Sequence, residues 1–552
     1  MSANENRLCK LIVREHFGPI VEKVANALLR KGRLPVGLIS AATKLTQAQV
    51  RESLVVMIQH NIAVYAETQE RARIVTYYDV NRLAILHRAQ IPKMLFYTQE
   101  WFEKDGALVA QSVMAHGKMT MKDCIKDILA TRSTGATKND KRSQALTAAF
   151  TRMVKERCLV AVRPSDSVSQ VDRDMEEEKR ETSKSVMPLT ATELAKIRKT
   201  MAQSKEAERD SANIVGLKRK LNAVSELDDW DDFENGDKRR KTGSVAISEE
   251  VEDDVYFRVN FERFIIRWRN IKISELIEGR LNATAKAIML TLLTLAESKM
   301  LVCSEEFSKA VSSVQILNGL AQDVNLADTL AFNESELGVH DAKPSLSECL
   351  DKYMDVLEED LLKITKKDQG RSGQYVVNLK QAAKVMKHRV IEGMVSTRFG
   401  GHYVRIMNML LEKGKSEEKQ ISKWAMMPVK DVREKLTTLY TFGVLNMQEV
   451  PKSADRAPSR TFYLWEVLPD RACEALVEKL IHTMANLRQR RFVERSKRHV
   501  LLEKCERTDV QANDGLLNMG DKRELEALNN MLEMLEVQEL RIADMVMTLR
   551  DF

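Results

Sequence analysis

Cys9 and His16 lie seven residues apart in the segment CKLIVREH, a spacing that can bring both to one side of a helix and would suit a nucleophile beside its base. Such a pair also needs a group to orient the base and a donor for the developing oxyanion, and the sequence identifies neither. The carboxylates of DDWDD (Asp228 to Asp232) and SEEVEDD (Ser248 to Asp254) could do acid–base work. They sit, however, in a stretch so charged and so poor in aromatics that no rigid pocket is expected around them. There is no GxxxxGK(S/T) phosphate loop, no GxGxxG after a strand and no HExxH. Gly400-Gly401 reads as a helix junction, and His388 and His402 as surface or packing residues rather than metal ligands. The seven cysteines are never closer than 32 residues apart, so neither a disulfide framework nor a zinc knuckle is encoded. The expectation is a chain with no catalytic residues, no metal and no cofactor.

Positive charge carries the remaining chemistry. The net charge of +7 is a modest excess that permits nucleic-acid proximity without demanding it. KRK (Lys218, Arg219, Lys220) and KRRK (Lys238, Arg239, Arg240, Lys241), seventeen residues apart, match a bipartite nuclear-import pattern and point to the nucleus. NLRQRRFVERSKR brings Arg488, Arg490, Arg491, Arg495, Lys497 and Arg498 onto one helix, enough charge to face phosphates or an acidic partner, or else to form a solvated helix face. The candidate DNA contacts are Lys138, Lys141, Arg142, Lys430, Arg433, Lys452, Arg456 and Arg460. Neighbouring Asp431 and Glu434 balance the charge of their helix, which argues against base-specific reading.

The elements that must position these residues follow one order. Leu8, Leu11, Ile12, Val21, Val24 and Leu28 recur largely at helical spacing, and a short helix follows over Val36 to Ala42. Thr46 with Gln49 is a capping-box pattern ahead of a third helix. IAVYAE and ARIVTYY then switch to β-branched and aromatic residues and read as a hairpin. Helix, short helix, third helix and hairpin is the order of a winged helix. It recurs from Ile91, with CLVAVRP as a wing strand. A third copy is read from YFRVNFERF to the closing strand GQYVVNL, and a fourth from Gln381 to RTFYLW. In the fourth, PKSADRAPS is the wing tip, stiffened by Pro451 and Pro458. At the end of the chain Leu525, Leu528, Leu532, Leu535, Ile542, Val546 and Leu549 form a heptad seam with Glu539 as its only polar intrusion.

The expected fold is mainly α with small β-wings (α+β). Four tandem winged helices occupy residues 1–79, 80–163, 255–380 (with an insertion) and 381–468; a charged, mostly disordered linker occupies 164–254, and an antiparallel coiled-coil hairpin 469–552. The N-terminus lacks the apolar run of a signal peptide, and no stretch reaches the roughly 20 apolar residues that span a bilayer, so a soluble intracellular protein is expected.

VYFRVNFERF, GQYVVNL, RFGGHYVRI, WAMMPVKDVREKL and QEVPKSADRAPSRTFYLW, in that order and followed by NLRQRRFVERSKRHVLLEKCERTD, resemble the tandem winged-helix subunit of eukaryotic RNA polymerase III. The resemblance implies a non-catalytic scaffold, the largest member of a dissociable initiation heterotrimer. Its implied partners are the polymerase clamp, the two smaller heterotrimer subunits, the promoter-bound initiation factor and DNA near the transcription bubble. Its implied role is promoter recruitment and DNA opening at small RNA genes such as those for tRNA and 5S rRNA. Two alternatives use the same elements: a free-standing winged-helix regulator, which needs strongly basic recognition helices, and a scaffold like those of the proteasome lid, which needs one terminal wing module rather than several.

Overall fold

The protein was analysed as a computed structural model, which describes residues 2–70, 73–131, 136–183, 192, 195–201, 204, 217–221, 247–252, 254–320, 326, 345–368, 373–452, 461–508, 510 and 517–552. The chain divides into two units, Val13–Phe264 and Met1–Ile12 with Ile265–Phe552.

The first helix, α1 (Ala3–Lys31), breaks where Gly18 takes a left-handed φ of 84° and Pro19 withholds an N–H. Helices α2 (Val36–Thr43) and α3 (Gln47–Gln59) follow. The expected capping box opens α3: Gln49 N–H donates to Thr46 Oγ1 at 3.3 Å, and Thr46 N–H donates to Gln49 Oε1 at 3.2 Å. Strands β1 (Ala63–Glu70) and β2 (Arg73–Val80) pair antiparallel from Ala63 opposite Val80 to Glu70 opposite Arg73, and Leu34 bridges to Tyr78 on the far edge of β2. Val24, Leu28, Ile39, Val50, Leu54 and Met57 are buried.

Helices α4 (Arg82–His87) and α5 (Ile91–His116), strand β3 (Met119–Thr120), helices α6 (Met121–Thr131) and α7 (Ala136–Lys155) and strand β4 (Leu159–Ala161) repeat the order. The next elements are α8 (Gln170–Ser183), β5 (Leu217–Leu221), β6 (Ile247–Val251) and β7 (Tyr256–Val259). Here the sequence reading needs correction. The YFRV strand was expected to open the third copy, but β7 lies between β3 and β4 and completes the second sheet, with Phe257 opposite both Met119 and Ala161. Phe257 is wholly buried, edge-on to Phe150 of α7 at 5.3 Å, so closure of this core draws the strand back. The charged 164–254 segment is therefore inserted between two strands of one sheet. Its start is anchored: Ser169 N–H donates to the Tyr65 carbonyl at 3.0 Å, and Arg33 Nη1 contacts both Asp172 oxygens at 2.7 Å. Most of the disorder expected of this segment falls outside the described residues.

The other unit continues with α9 (Phe261–Glu278), which enters it from the first, α10 (Ala283–Glu297), β8 (Val311–Ser312), α11 (Ser313–Gly319), α12 (Leu346–Glu359), β9 (Thr365–Lys367) and β10 (Gln374–Val377). The expected closing strand β10 sits centrally in the order β8-β10-β9. Then come α13 (Leu379–Phe399), α14 (Gly401–Lys413), β11 (Ser416–Glu417), α15 (Glu418–Ala425), α16 (Val429–Thr441), β12 (Leu445–Pro451) and β13 (Thr461–Val467), with sheet order β11-β13-β12. Gly400, at φ 96°, is the junction between α13 and α14. The long helices α17 (Pro469–Lys497) and α19 (Met519–Arg550) flank the short α18 (His499–Glu506). Among the described residues no helix is long and apolar enough to cross a membrane.

A polar joint in the first unit yields two predictions. Arg88 is buried over the Phe17 ring at 4.8 Å, and its Nη1 stands 3.5 Å from His60 Nδ1. Burial first, and then the Arg88 charge, push the His60 imidazolium pKa down from 6.5 to about 4. The unfolded chain therefore binds a proton that the folded chain refuses between those values. The His60 contribution, about 2 kcal/mol after allowance for solvent screening, is present above pH 6.5 and lost as pH falls toward 4. Denaturant titrations from pH 7 to 4 should show this fall, and His60→Asn should flatten it; an equally steep fall in the variant refutes the assignment. Gly117, at φ 84°, packs so closely that an added Cβ would meet the Gln59 carbonyl at 2.5 Å. Gly117→Ala should cost more than about 2 kcal/mol, against about 1 for Gly18→Ala, which has nothing within 4 Å.

Candidate functional site

Two of the six basic side chains expected to face phosphates or a partner, Arg488 and Arg491, are folded inward. Along α17 the buried positions are apolar through Leu476, Leu480, Ile481, Met484 and Ala485, then become Arg488, Arg491 and Glu494 at three-residue steps. Opposite them on α19 is Glu539, the polar intrusion in the leucine seam, only 4% exposed. Arg488 Nε donates to Glu539 Oε1 at 2.6 Å, and Arg491 reaches Glu539 Oε2 and Glu536 Oε1, each at 2.9 Å. Arg498 Nε lies 3.3 Å from Glu524, and Lys504 lies 3.5 Å from Asp521. Partner numbers fall on α19 as they rise on α17 and α18, so the helices run antiparallel. Arg490, Lys497 and Arg498 converge on the Glu494 carboxylate at 2.9, 3.2 and 2.8 Å. Hydrogen bonds from Arg498 and then Lys497 hold that carboxyl below the usual carboxylate range.

This corrects the expectation for Arg488 and Arg491, while Arg490, Arg495 and Lys497 stay exposed. Arg488 and Arg491 are buried ion-pair partners, because a charge taken from water must be matched and the seam supplies the match. Arg490, Lys497 and Arg498 neutralise Glu494. Arg495, half exposed, lies 3.9 Å from Glu536. Glu494 and Glu539 are the acidic partners that the basic pattern concealed; the break in the leucine heptads at Glu539 was the available signal.

The third helices keep part of their cationic surface. In the first unit Lys141 is exposed and Arg142 half-buried on α7; Lys138 belongs to the same helix, but its side chain lies outside the described residues. On α16 Lys430 is exposed. Arg433 turns back instead, donating through Nε and Nη2 to Glu418 Oε2 at 3.0 Å, so it clamps α15 to α16. At the loop end of the last β-hairpin, Lys452 Nζ stands 3.9 Å over the Phe462 ring. Arg456 and Arg460 lie outside the described residues. Of the nuclear-import candidates, Lys218, Arg219 and Lys220 form part of β5, paired with β6 with Lys218 opposite Glu250 and Arg219 opposite Glu249. Lys238, Arg239, Arg240 and Lys241 lie outside the described residues. Among the described residues no group of three or more His, Cys, Asp or Glu side chains could hold a metal ion.

Removing Glu539 takes away the buried carboxylate that Arg488 and Arg491 share, so Glu539→Ala should destabilise the helical pair by about 3–5 kcal/mol in chemical denaturation followed by circular dichroism. The triple variant Arg488→Met, Arg491→Leu, Glu539→Leu, which removes the charges together, should stay within about 2 kcal/mol of the parent. A loss below about 1 kcal/mol in Glu539→Ala would refute the pairing.

Comparison with known proteins places these elements in context. A model described as the RNA polymerase III subunit RPC82 helix-turn-helix domain matches residues 7–68; one described as RNA polymerase III subunit RPC82 matches 148–386; one described as the POLR3C C-terminal winged-helix domain matches 391–467. The chain is 26% identical over 574 residues to DNA-directed RNA polymerase III subunit RPC3 of Danio rerio, covering 100% of this chain and 98% of that one. To the Homo sapiens subunit of the same name it is 26% identical over 569 residues, covering 100% and 98%. The Emericella nidulans subunit is 26% identical over 621 residues, covering 99% of each.

Proposed function

We propose that this chain, as a non-catalytic RPC82-type subunit of RNA polymerase III, scaffolds the initiation heterotrimer on the polymerase clamp and aids promoter recruitment and DNA opening. The observation that carries this reading is the recurrence of one topology. The sheets β3-β7-β4, β8-β10-β9 and β11-β13-β12 each follow three helices interleaved with a first strand, and β1-β2 with the Leu34 bridge has the same pattern. On this reading they are four tandem winged helices, and α17 to α19 form a coiled-coil hairpin.

Charge supports a scaffold over a free-standing regulator. Asp431 and Glu434 share α16 with Lys430 and Arg433, and Arg433 is engaged by Glu418, which leaves little for base-edge readout. The partners proposed are the clamp, the two smaller heterotrimer subunits, the promoter-bound initiation factor and DNA beside the bubble. The location proposed is the nucleus. Lys452, Arg456 and Arg460 are the proposed wing contacts in the last module.

Affinity purification of the tagged full chain from nuclear extract should recover RNA polymerase III core subunits together with two smaller partners. Recovery of the smaller partners without core subunits would overturn the clamp assignment, and recovery of neither would overturn the scaffold.

A further inference from the structure

Where the end of α16 meets α17, three cations are held on a cluster of aromatic rings. Arg398 Cζ lies 5.2 Å and Lys479 Nζ 4.2 Å from the centroid of the Phe442 ring, and Lys479 also donates to the Phe442 carbonyl at 2.9 Å. Phe399 meets Phe442 edge-on at 5.1 Å and Tyr403 at 5.2 Å, and Lys435 Nζ stands 5.7 Å over the Tyr403 ring. Backbone constraints build this cluster. The turn at Gly400 places Arg398 and Phe399 at the end of α13 and Tyr403 at the start of α14. Gly443, at φ 83°, sits where an added Cβ would meet Ala475 Cβ at 2.8 Å, and this close approach brings Lys479, one turn further along α17, within reach of the end of α16.

The chain does not balance these charges itself. Among the described residues no ion pair reaches Arg398, Lys435 or Lys479, whereas Lys415 and Arg433 of the same module pair with Glu466 at 3.6 Å and Glu418 at 3.0 Å. Ring faces and a helix-end carbonyl offer each cation a partial charge but leave all three positive charges in place. Burial first, and then the neighbouring Arg398 charge, hold the Lys479 ammonium below its usual range. Both Arg398 and Lys479 are nonetheless exposed, so a ligand can reach them. An anion relieves the repulsion between them, and a guanidinium fork already oriented by two rings suits the oxygens of a phosphate.

We propose that Arg398, Lys479 and Lys435 form a phosphate site for a nucleic-acid backbone. The proposal rests on the reading of this chain as a polymerase subunit that works beside DNA. Contacts of this kind fix position and contribute affinity without reading sequence, which agrees with the balanced charge along α16. Each cation that meets a phosphate releases counterions and adds about one unit to the salt dependence of binding.

The test uses the purified full chain and a short fluorescent duplex of mixed sequence, titrated at several salt concentrations. Arg398→Gln/Lys479→Gln should weaken binding at least fivefold and lower the salt slope by about two; Arg398→Gln alone, a change at an exposed position, should lower it by about one. Arg398→Lys/Lys479→Arg keeps both charges and should keep the parent slope, which separates a missing cation from a disturbed joint. Lys104→Gln/Lys299→Gln, the same charge change at exposed positions elsewhere, should leave the slope unchanged. The proposal is overturned if the double Gln variant keeps the parent slope, if the charge-keeping or the distant variant loses as much, or if the full chain does not bind the duplex. It is overturned equally if the double Gln variant binds duplex as the parent does but recovers fewer polymerase core subunits in affinity purification, because the cluster then faces an acidic protein. Purification with the parent chain does not depend on this result, so the two readings fail separately.

Discussion

The last strand of each three-stranded sheet lies between the other two, and these modules depend on that placement. Strands β7, β10 and β13 each pair on both edges, while their outer partners have only two to seven residues. A two-stranded ribbon of that length is marginal in water, so the central strand and the aromatic side chain it drives into the helices decide whether a module closes. Phe257, Tyr375 and Trp465 do this, each buried to within a few per cent of completely.

That arrangement also explains how the chain tolerates long insertions. Closing a loop costs entropy that grows only as the logarithm of its length, about 0.6 kcal/mol per doubling. The wing connection of the second module can therefore hold residues 162–255, and the connection between α11 and α12 can hold 320–345, while the sheets retain their order. The insertion between β4 and β7 starts and ends at the same sheet.

The long terminal helices show the opposite use of charge. A leucine seam alone leaves register loosely defined, whereas Glu539 between Arg488 and Arg491 allows one alignment at full charge compensation. Cations that would serve binding on an exposed helix serve alignment here.

Local signals in the sequence determined much of this protein. The capping box at Thr46, the left-handed glycine before Pro19, the hairpin after His60 and the strands around PKSADRAPS are set by neighbours within a few residues, and the chain folds them as their residue types require. The recurring order of elements was legible for the same reason, while the resemblance to a polymerase III subunit rested on segments such as RFGGHYVRI and QEVPKSADRAPSRTFYLW. Two matters were decided only by the tertiary structure. YFRV has strand character wherever it is placed, and only the core around Phe150 assigned it to the second module instead of the third. Likewise six basic residues on one helix look alike in sequence; only the partner helix, bringing Glu536 and Glu539 across the seam, separated buried structural arginines from exposed ones. In both cases the partner lies far along the chain, and the energy of burying a side chain or matching a charge arises only once that partner has arrived.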